Sequence, residues 1–347
     1  MFDFVARATA RAPLRLPLGG GGTDLPAYFR RFGGYLIAGA IEHQSVVSVE
    51  HSPRPGIAVA HRDKQLVRSV DDIAEPLLRE ALRLTGVLDR VAITSTPNEF
   101  EEGGLGSSGS YTVALLAALE ALCGRTRTPA ELAELACHIE IDRLAKRVGK
   151  QDQYAAAHGG LISLQIERDG SVEVEQLRIS TSTRARLEEC LCLFHSGVTR
   201  SASKVLTTQS NRLDAGDAVV TDAMHEIAAI GRTTREVLEQ GSVDELGHLF
   251  HAHWVCKRRL AANISNSQFD DVYALARENG ATGGKLIGAG GGGHFLLYCP
   301  GDRDALTNAL RARGLADVPW RFQDTGVVVE RTMAGERLVV SSPGSGM

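Results

Sequence analysis

The stretch Gly103-Gly104-Leu105-Gly106-Ser107-Ser108-Gly109-Ser110, running directly into the apolar segment 111–122, reads as an anion cradle opening a helix. Glycines let successive backbone N–H groups turn toward one point. The first helical turn adds unsatisfied donors and the positive end of its dipole, and the serines add hydroxyls. The competing reading is a flexible loop capped by Ser107 or Ser108 with no ligand. Segments elsewhere in the chain decide between them.

Outward from the cradle, short β-like runs fill the first hundred residues, at 14–18, 35–41, 45–50, 57–61 and 91–96, with a helix over 73–85 between them. After the cradle helix, which Gly124 ends, Thr128-Pro129-Ala130-Glu131 combines an N-cap, a proline at the first helical position and a glutamate at the third, so a helix is expected from there to about Arg147. A strand over 161–167 and a hairpin turn at Asp169-Gly170 follow. The second half predicts a strand over 190–195, helices over 218–240, 243–260 and 269–278, and a strand over 294–299; Ser242 with Glu245 suggests another capping box. The pattern fits an α+β chain in two units, 1–180 and 181–347, with a disordered tail over 341–347.

The chain has 347 residues, 43% hydrophobic and 23% charged, a net charge of −4 and a pI near 6.3. That balance gives no global attraction to nucleic acid or to an anionic membrane. The longest apolar run is too short to span a bilayer and no secretory signal is visible. Six cysteines without a CxxC pair resemble neither a disulfide framework nor a zinc site. A cytoplasmic protein with reduced thiols, contacting neither nucleic acid nor membrane, is expected.

Two further segments carry chemistry. Gly149-Lys150-Gln151-Asp152-Gln153-Tyr154 places Asp152 in what reads as a loop after the capped helix, and Glu140 lies on that helix. Two such carboxylates suit a divalent metal plus a group that orients or deprotonates an attacking hydroxyl, although each is equally readable as a solvated helix charge and a loop cap. Magnesium would take few protein ligands, Glu140 and a serine hydroxyl, and the rest from phosphate and water. Arg15-Leu16-Pro17-Leu18-Gly19-Gly20-Gly21-Gly22-Thr23-Asp24 can wrap a small polyol, Asp24 accepting hydroxyl hydrogens, or can be a hairpin with Asp24 capping the next helix. The segment 288–293 satisfies GxGxxG, but a strand-like run follows it where a dinucleotide fingerprint needs a helix, so it is expected to approach a ligand or the first glycine-rich loop instead. His248, His251 and His253 do not share one helical face and are not expected to bind metal.

Taken together, 15–24, 103–110, 149–160, and Ile264-Ser265-Asn266 with 280–293 resemble the GHMP kinase superfamily over most of the chain, and within it the heptose kinase branch. The resemblance implies an N-terminal α/β lobe with a left-handed crossover, a C-terminal ferredoxin-like lobe and a site between them. It implies ATP and Mg2+ as cofactors, ATP phosphates on Gly104, Gly106, Ser107, Ser108 and Gly109, metal on Ser108 and Glu140, Asp152 as catalytic aspartate, and Arg15 near the reacting hydroxyl. Gly22, Thr23 and Asp24 would meet the sugar.

The activity implied is phosphorylation of the anomeric (C1) hydroxyl of a sugar phosphate, with D-glycero-D-manno-heptose 7-phosphate giving the 1,7-bisphosphate. A fucose-like unphosphorylated sugar, or a non-catalytic sugar and nucleotide sensor, are the alternatives. A substrate phosphate would need a cationic handle, for which Arg200, Lys204, Lys257 and Arg258 are candidates. A homodimer is compatible with the resemblance. Gly21 and Gly22 stand where galactokinases carry Glu and His, which makes galactose a poor acceptor candidate.

Overall fold

The computed structural model describes residues 5–61, 63–96, 103–198, 202–333 and 336–341. The expected tail beyond Ser341 lies outside them. In chain order the first part comprises β1 (Val5–Gly19), α1 (Pro26–Phe32), β2 (Gly34–His51), β3 (Ile57–Ala60), β4 (Lys64–Val67), α2 (Pro76–Thr85), β5 (Val91–Thr96), α3 (Ser107–Leu122), α4 (Pro129–Cys137), α5 (Gln151–His158), β6 (Leu161–Ile166) and β7 (Val172–Gln176). The second comprises α6 (Thr181–Cys190), β8 (Leu191–His195), α7 (Ala202–Asp214), α8 (Ala218–Gln240), α9 (Leu246–Arg258), α10 (Ser267–Glu278), β9 (Gly283–Leu286), β10 (His294–Tyr298), α11 (Arg303–Ala312) and β11 (Ala316–Asp317). The chain then returns through β12 (Val328–Met333) and β13 (Glu336–Ser341).

The first sheet runs β13-β12-β1-β2-β5-β3-β4. The long β2 divides its outer edge, pairing β6 through Gly34–Gly39 and β5 through Val46–His51. Against this sheet lies α3, apolar on every side and buried along nearly its whole length, packed between β1 and β2 on one side and α2, α4 and α5 on the other. The central position follows from composition: a helix with no polar face has nowhere else to go. The second sheet is antiparallel, β11-β8-β10-β9, with α9 packed on β9 and β10. The two lobes share an apolar core in which Leu14, Leu16 and Leu18 of β1 meet Phe250 of α9 and Leu296 of β10. Where α8 crosses β1, a Cβ at Gly231 would come within 3.0 Å of Gly20 Cα, so the crossing depends on two facing glycines.

Four expectations change. The unit expected to end the chain, 181–347, does not hold all of its strands, because β12 pairs antiparallel with β1 and so joins the first sheet. The two runs 35–41 and 45–50 are one strand: opposite Pro13, which has no N–H to give, the register shifts and Glu42 and His43 bulge out. Ser242 makes no capping bond and opens a 3-10 turn, Val243–Glu245, whereas the Thr128–Glu131 box forms in both directions, at 2.7 and 3.2 Å. Finally, the helix expected to reach Arg147 stops being α-helical at Cys137, widens to a π turn over His138–Arg143 and is capped by Leu144, just before Ala145 with its φ of 49°.

Candidate active site

At the start of α3, Gly106 is the N-cap with φ of 81°, a left-handed conformation that glycine adopts without steric cost, and it has no side chain to cap the first turn. The loop before it docks on the edge of β1, where Arg15 N–H donates to Leu105 O at 2.9 Å. From behind, the segment 288–293 braces it backbone against backbone. A Cβ on Gly104 would stand 2.7 Å from Ile287 O, and one on Gly288 2.5 Å from Gly104 Cα. His294 Nδ1 donates to Gly103 O at 2.7 Å, and burial lowers this imidazole to about 4, keeping it neutral. The GxGxxG segment is thus a support for the first loop, between β9 and β10 with no helix after it.

The π turn carries Glu140 inward, where it is fully buried. Its Oε2 accepts from Ser108 Oγ at 3.1 Å and Lys146 Nζ at 3.2 Å, and its Oε1 from Gln153 Nε2 at 2.9 Å. A buried carboxylate beside a serine hydroxyl at the mouth of a helix N-terminus fits the sparse protein ligation of Mg2+, with Lys146 as the partner that a cation would displace. Among the described residues no cluster of three or more His, Cys, Asp or Glu is placed to enclose a metal.

Asp152 is not in a loop but in the first turn of α5, where a negative side chain suits the helix dipole. Arg15, only 3% exposed, binds it through Nε at 2.8 Å and Nη2 at 2.5 Å, and through Nη1 donates to Gly104 O at 2.6 Å. One guanidinium therefore ties the carboxylate to the glycine-rich loop. Asp24 sets the helix start: its Oδ2 accepts Gln151 N–H and its Oδ1 accepts Gly22 N–H, both at 3.0 Å. Gly149 admits it, since a Cβ there would lie 1.8 Å from Asp24 Oδ2. Burial raises the Asp24 carboxyl above its ordinary range and Asp152 adds to the rise, opposed by those backbone donors.

These groups face a cavity of about 600 Å³ between the lobes. Of the residues expected at a site, Arg15, Gly22, Asp24, Gly104, Gly106, Ser107, Ser108, Asp152 and Lys257 line it, and Glu140 stands directly behind Ser108. Four described ones do not. Gly109 is a packing glycine, where α3 and α5 touch so closely that a Cβ would fall 2.6 Å from Asp152 Cβ. Thr23 is fully buried with its hydroxyl against Gly20 O, Tyr35 O and Tyr35 N–H, fastening the glycine turn to β2. Lys204 is exposed, because the α7 face that lines the cavity carries Ser203, Leu206 and Thr207 and helical spacing turns residue 204 away. Arg200 lies outside the described residues. Arg258 is at the surface with Asp270, 2.9 Å away.

The sequence reasoning missed Gln151, Gln209 and Lys285, and passed over His253, all of which line the cavity. Lys285 had a visible signal: a lone lysine among apolar and small residues immediately before a glycine-rich turn. In sequence His253 reads only as part of a three-histidine group; in the structure its neighbour His251 instead meets Tyr273 Oη, while His253 points alone into the interior.

Comparison with known proteins identifies the family. The family model "GHMP kinases N terminal domain" matches residues 70–160, and "GHMP kinases C terminal" matches 234–315. The chain belongs to the GHMP kinases and is a phosphotransferase of that family. It is 28% identical to the D-glycero-alpha-D-manno-heptose 7-phosphate kinase of Campylobacter jejuni, over 87% of this chain and 92% of that one. It is 24% identical to the L-fucokinase/L-fucose-1-P guanylyltransferase of Bacteroides fragilis, over 83% of this chain and 34% of the other. The crystal structure of a D-glycero-D-manno-heptose 1-phosphate kinase from Bacteroides thetaiotaomicron shares the fold, with a TM-score of 0.76 over 93% of this chain and 98% of that one, at 24% identity.

Proposed function

We propose that this chain transfers the terminal phosphoryl group of ATP to the anomeric hydroxyl of a sugar that already carries a phosphate, with D-glycero-D-manno-heptose 7-phosphate as acceptor and the 1,7-bisphosphate as product. The observation that carries the reading is the single guanidinium of Arg15, which bonds Asp152 on one side and the Gly104 carbonyl on the other at the floor of the cavity. It fixes the acidic side chain beside the loop whose N–H groups face an incoming phosphate.

Phosphoryl transfer asks little covalent chemistry of a protein, so positioning and charge stabilisation carry the rate. Asp152 orients the acceptor hydroxyl and takes its proton. Arg15 keeps that carboxylate in one rotamer and offsets charge that develops on the transferred group. The first turn of α3 and the Ser107 and Ser108 hydroxyls hold the phosphate oxygens. Asp24 and the Gly21-Gly22 turn receive the sugar, with Gln151 Oε1, buried and without a hydrogen-bond partner, open to an acceptor hydroxyl. Ser108 and Glu140 would hold Mg2+, which when bound neutralises charge on the phosphate oxygens.

Release of ADP, measured against hexoses, heptoses and their phosphates, tests the reading. Turnover is expected with heptose 7-phosphate and is expected to disappear in Asp152→Asn. Tight sugar and nucleotide binding without ADP from any acceptor would identify a sensor instead, and turnover that prefers a free sugar would remove the phosphate from the acceptor.

A further inference from the structure

The wall that the second lobe presents to the cavity is cationic without a counter-charge. Lys257 of α9 and Lys285 of β9 are 8% and 2% exposed, and neither has a carboxylate partner among the described residues. Lys257 Nζ donates to Leu286 O at 2.8 Å and Gly288 O at 2.5 Å; Lys285 Nζ donates to Leu18 O at 2.9 Å and lies 4.6 Å from the Phe250 ring centroid. An ammonium group has three donors, so Lys257 keeps one and Lys285 two for something else. His253, 4% exposed and on the same wall, has no partner on either ring nitrogen. Buried cations and an unmet imidazole are unfavourable in isolation. Arg15 adds a third positive charge, and its partner Asp152 is a single carboxylate.

We infer that His253, Lys257 and Lys285 form a subsite for a phosphate monoester borne by the acceptor itself. This rests on the kinase reading given above. A dianion supplies what the wall lacks: acceptor oxygens for the remaining N–H groups and charge to offset the two ammonium groups. Burial and the neighbouring cations lower both lysines, Lys257 to about 7, which is the behaviour of a charge cluster whose counter-ion arrives with the ligand. Burial and the two lysines likewise lower His253.

The position of Lys285 separates it from the ATP phosphates, while Lys257, bonded to Gly288 O behind Gly104, stands nearer the phosphate loop. ATP has its own donors at the α3 N-terminus, whereas Lys285 is fastened to Leu18 O, where β1 turns into the glycines of the acceptor loop. Strand geometry puts Leu18 roughly 10 Å along β1 from Arg15. A sugar with its anomeric hydroxyl at Asp152 would direct a phosphate at its far end toward that wall.

Calorimetric titration of the full chain with heptose 7-phosphate, with free heptose and with a non-hydrolysable ATP analogue tests the subsite without needing turnover. In Lys285→Met, which keeps an aliphatic stem against Phe250, the preference for the phosphorylated over the free sugar is expected to fall by about 10–100-fold. His253→Asn should move the same ratio in the same direction. An unchanged ratio would overturn the subsite, as would a loss of ATP-analogue affinity equal to the loss for the sugar phosphate, which would give these cations to the donor. In the wild-type protein, inorganic phosphate should shift the ring-nitrogen resonances of His253, and resonances unmoved at saturating heptose 7-phosphate would also overturn it. ADP formation with an unaltered binding ratio sinks the subsite alone. The expected ratio without ADP formation sinks the kinase reading alone.

Discussion

The two walls of the cavity handle charge in opposite ways. On the first-lobe wall each charge has its partner already: Arg15 with Asp152, Glu140 with Lys146, Asp24 with two backbone N–H groups. On the second-lobe wall Lys257 and Lys285 bond only to carbonyls, Lys285 also lying over the Phe250 ring, and His253 has no hydrogen-bond partner among the described residues. The first arrangement is preorganised, with side chains locked before any ligand enters, as phosphoryl transfer requires. The second holds unfavourable electrostatics that an anion relieves, so it suits recognition. On the proposed reading, one wall performs chemistry and the other selects.

The sharpest way to break this division is Asp152→Asn, which should lower kcat for ADP release by about 10²–10⁴-fold. A near-normal rate would remove the chemistry from the first wall. Raising Mg2+ in Glu140→Gln should recover part of its lost rate, as a shift in the Mg2+ concentration for half-maximal turnover, because Ser108 still offers one ligand. Gly109→Ala tests how tightly that wall is set: its new Cβ collides with Asp152 Cβ and Gln153 N, so urea unfolding should show a loss of about 1–3 kcal/mol.

Smaller effects belong to the second wall and its support. His253 and His294 are held neutral by burial, His294 at about 4, while the unfolded chain protonates near 6.5. Their contribution is therefore present above pH 6.5 and is lost as pH falls toward 4, at up to about 1.4 kcal/mol per pH unit for each. Urea midpoints measured across that range should fall with acid, less steeply in His294→Asn. Lys257 sits at about 7 beside Lys285, Arg15 and His253, so above neutrality an anion must bring a proton with it. Inorganic phosphate should bind more weakly at pH 8 than at pH 7, by about tenfold or less, and Lys257→Met should flatten that dependence.

The first wall was legible because its residues sit in short contiguous motifs whose local chemistry is decisive. Gly106 must take a left-handed conformation, and the helix that follows has no polar side, so cradle and core helix are read together. Arg15, Asp24 and Asp152 stood within quotable segments, although the α5 helix around Asp152 did not, because its start is capped from a distance by Asp24 rather than by a neighbour in sequence. The π turn was hidden for a similar reason: Glu140 is drawn inward by Ser108 and Gln153, and nothing in the local pattern records that pull. On the second wall, His253 and Lys285 come from separate elements, a helix and a strand, and become neighbours only through packing. α6 has no apolar face and escaped the periodicity that found α8, whose limits match those expected, whereas α11 does carry such a face, with Leu306 and Leu310 buried, and was missed.

The return of β12 to β1 has a consequence for how the chain reaches this form. Arg11 and Glu330 are joined at 2.9 Å although 319 residues apart in sequence, so the strand that carries Arg15 keeps an open edge until β12 has been made. Contacts of such long sequence separation slow folding and leave edges exposed to other nascent chains. The first lobe therefore lacks one of its strands until the segment that follows the second sheet has been made.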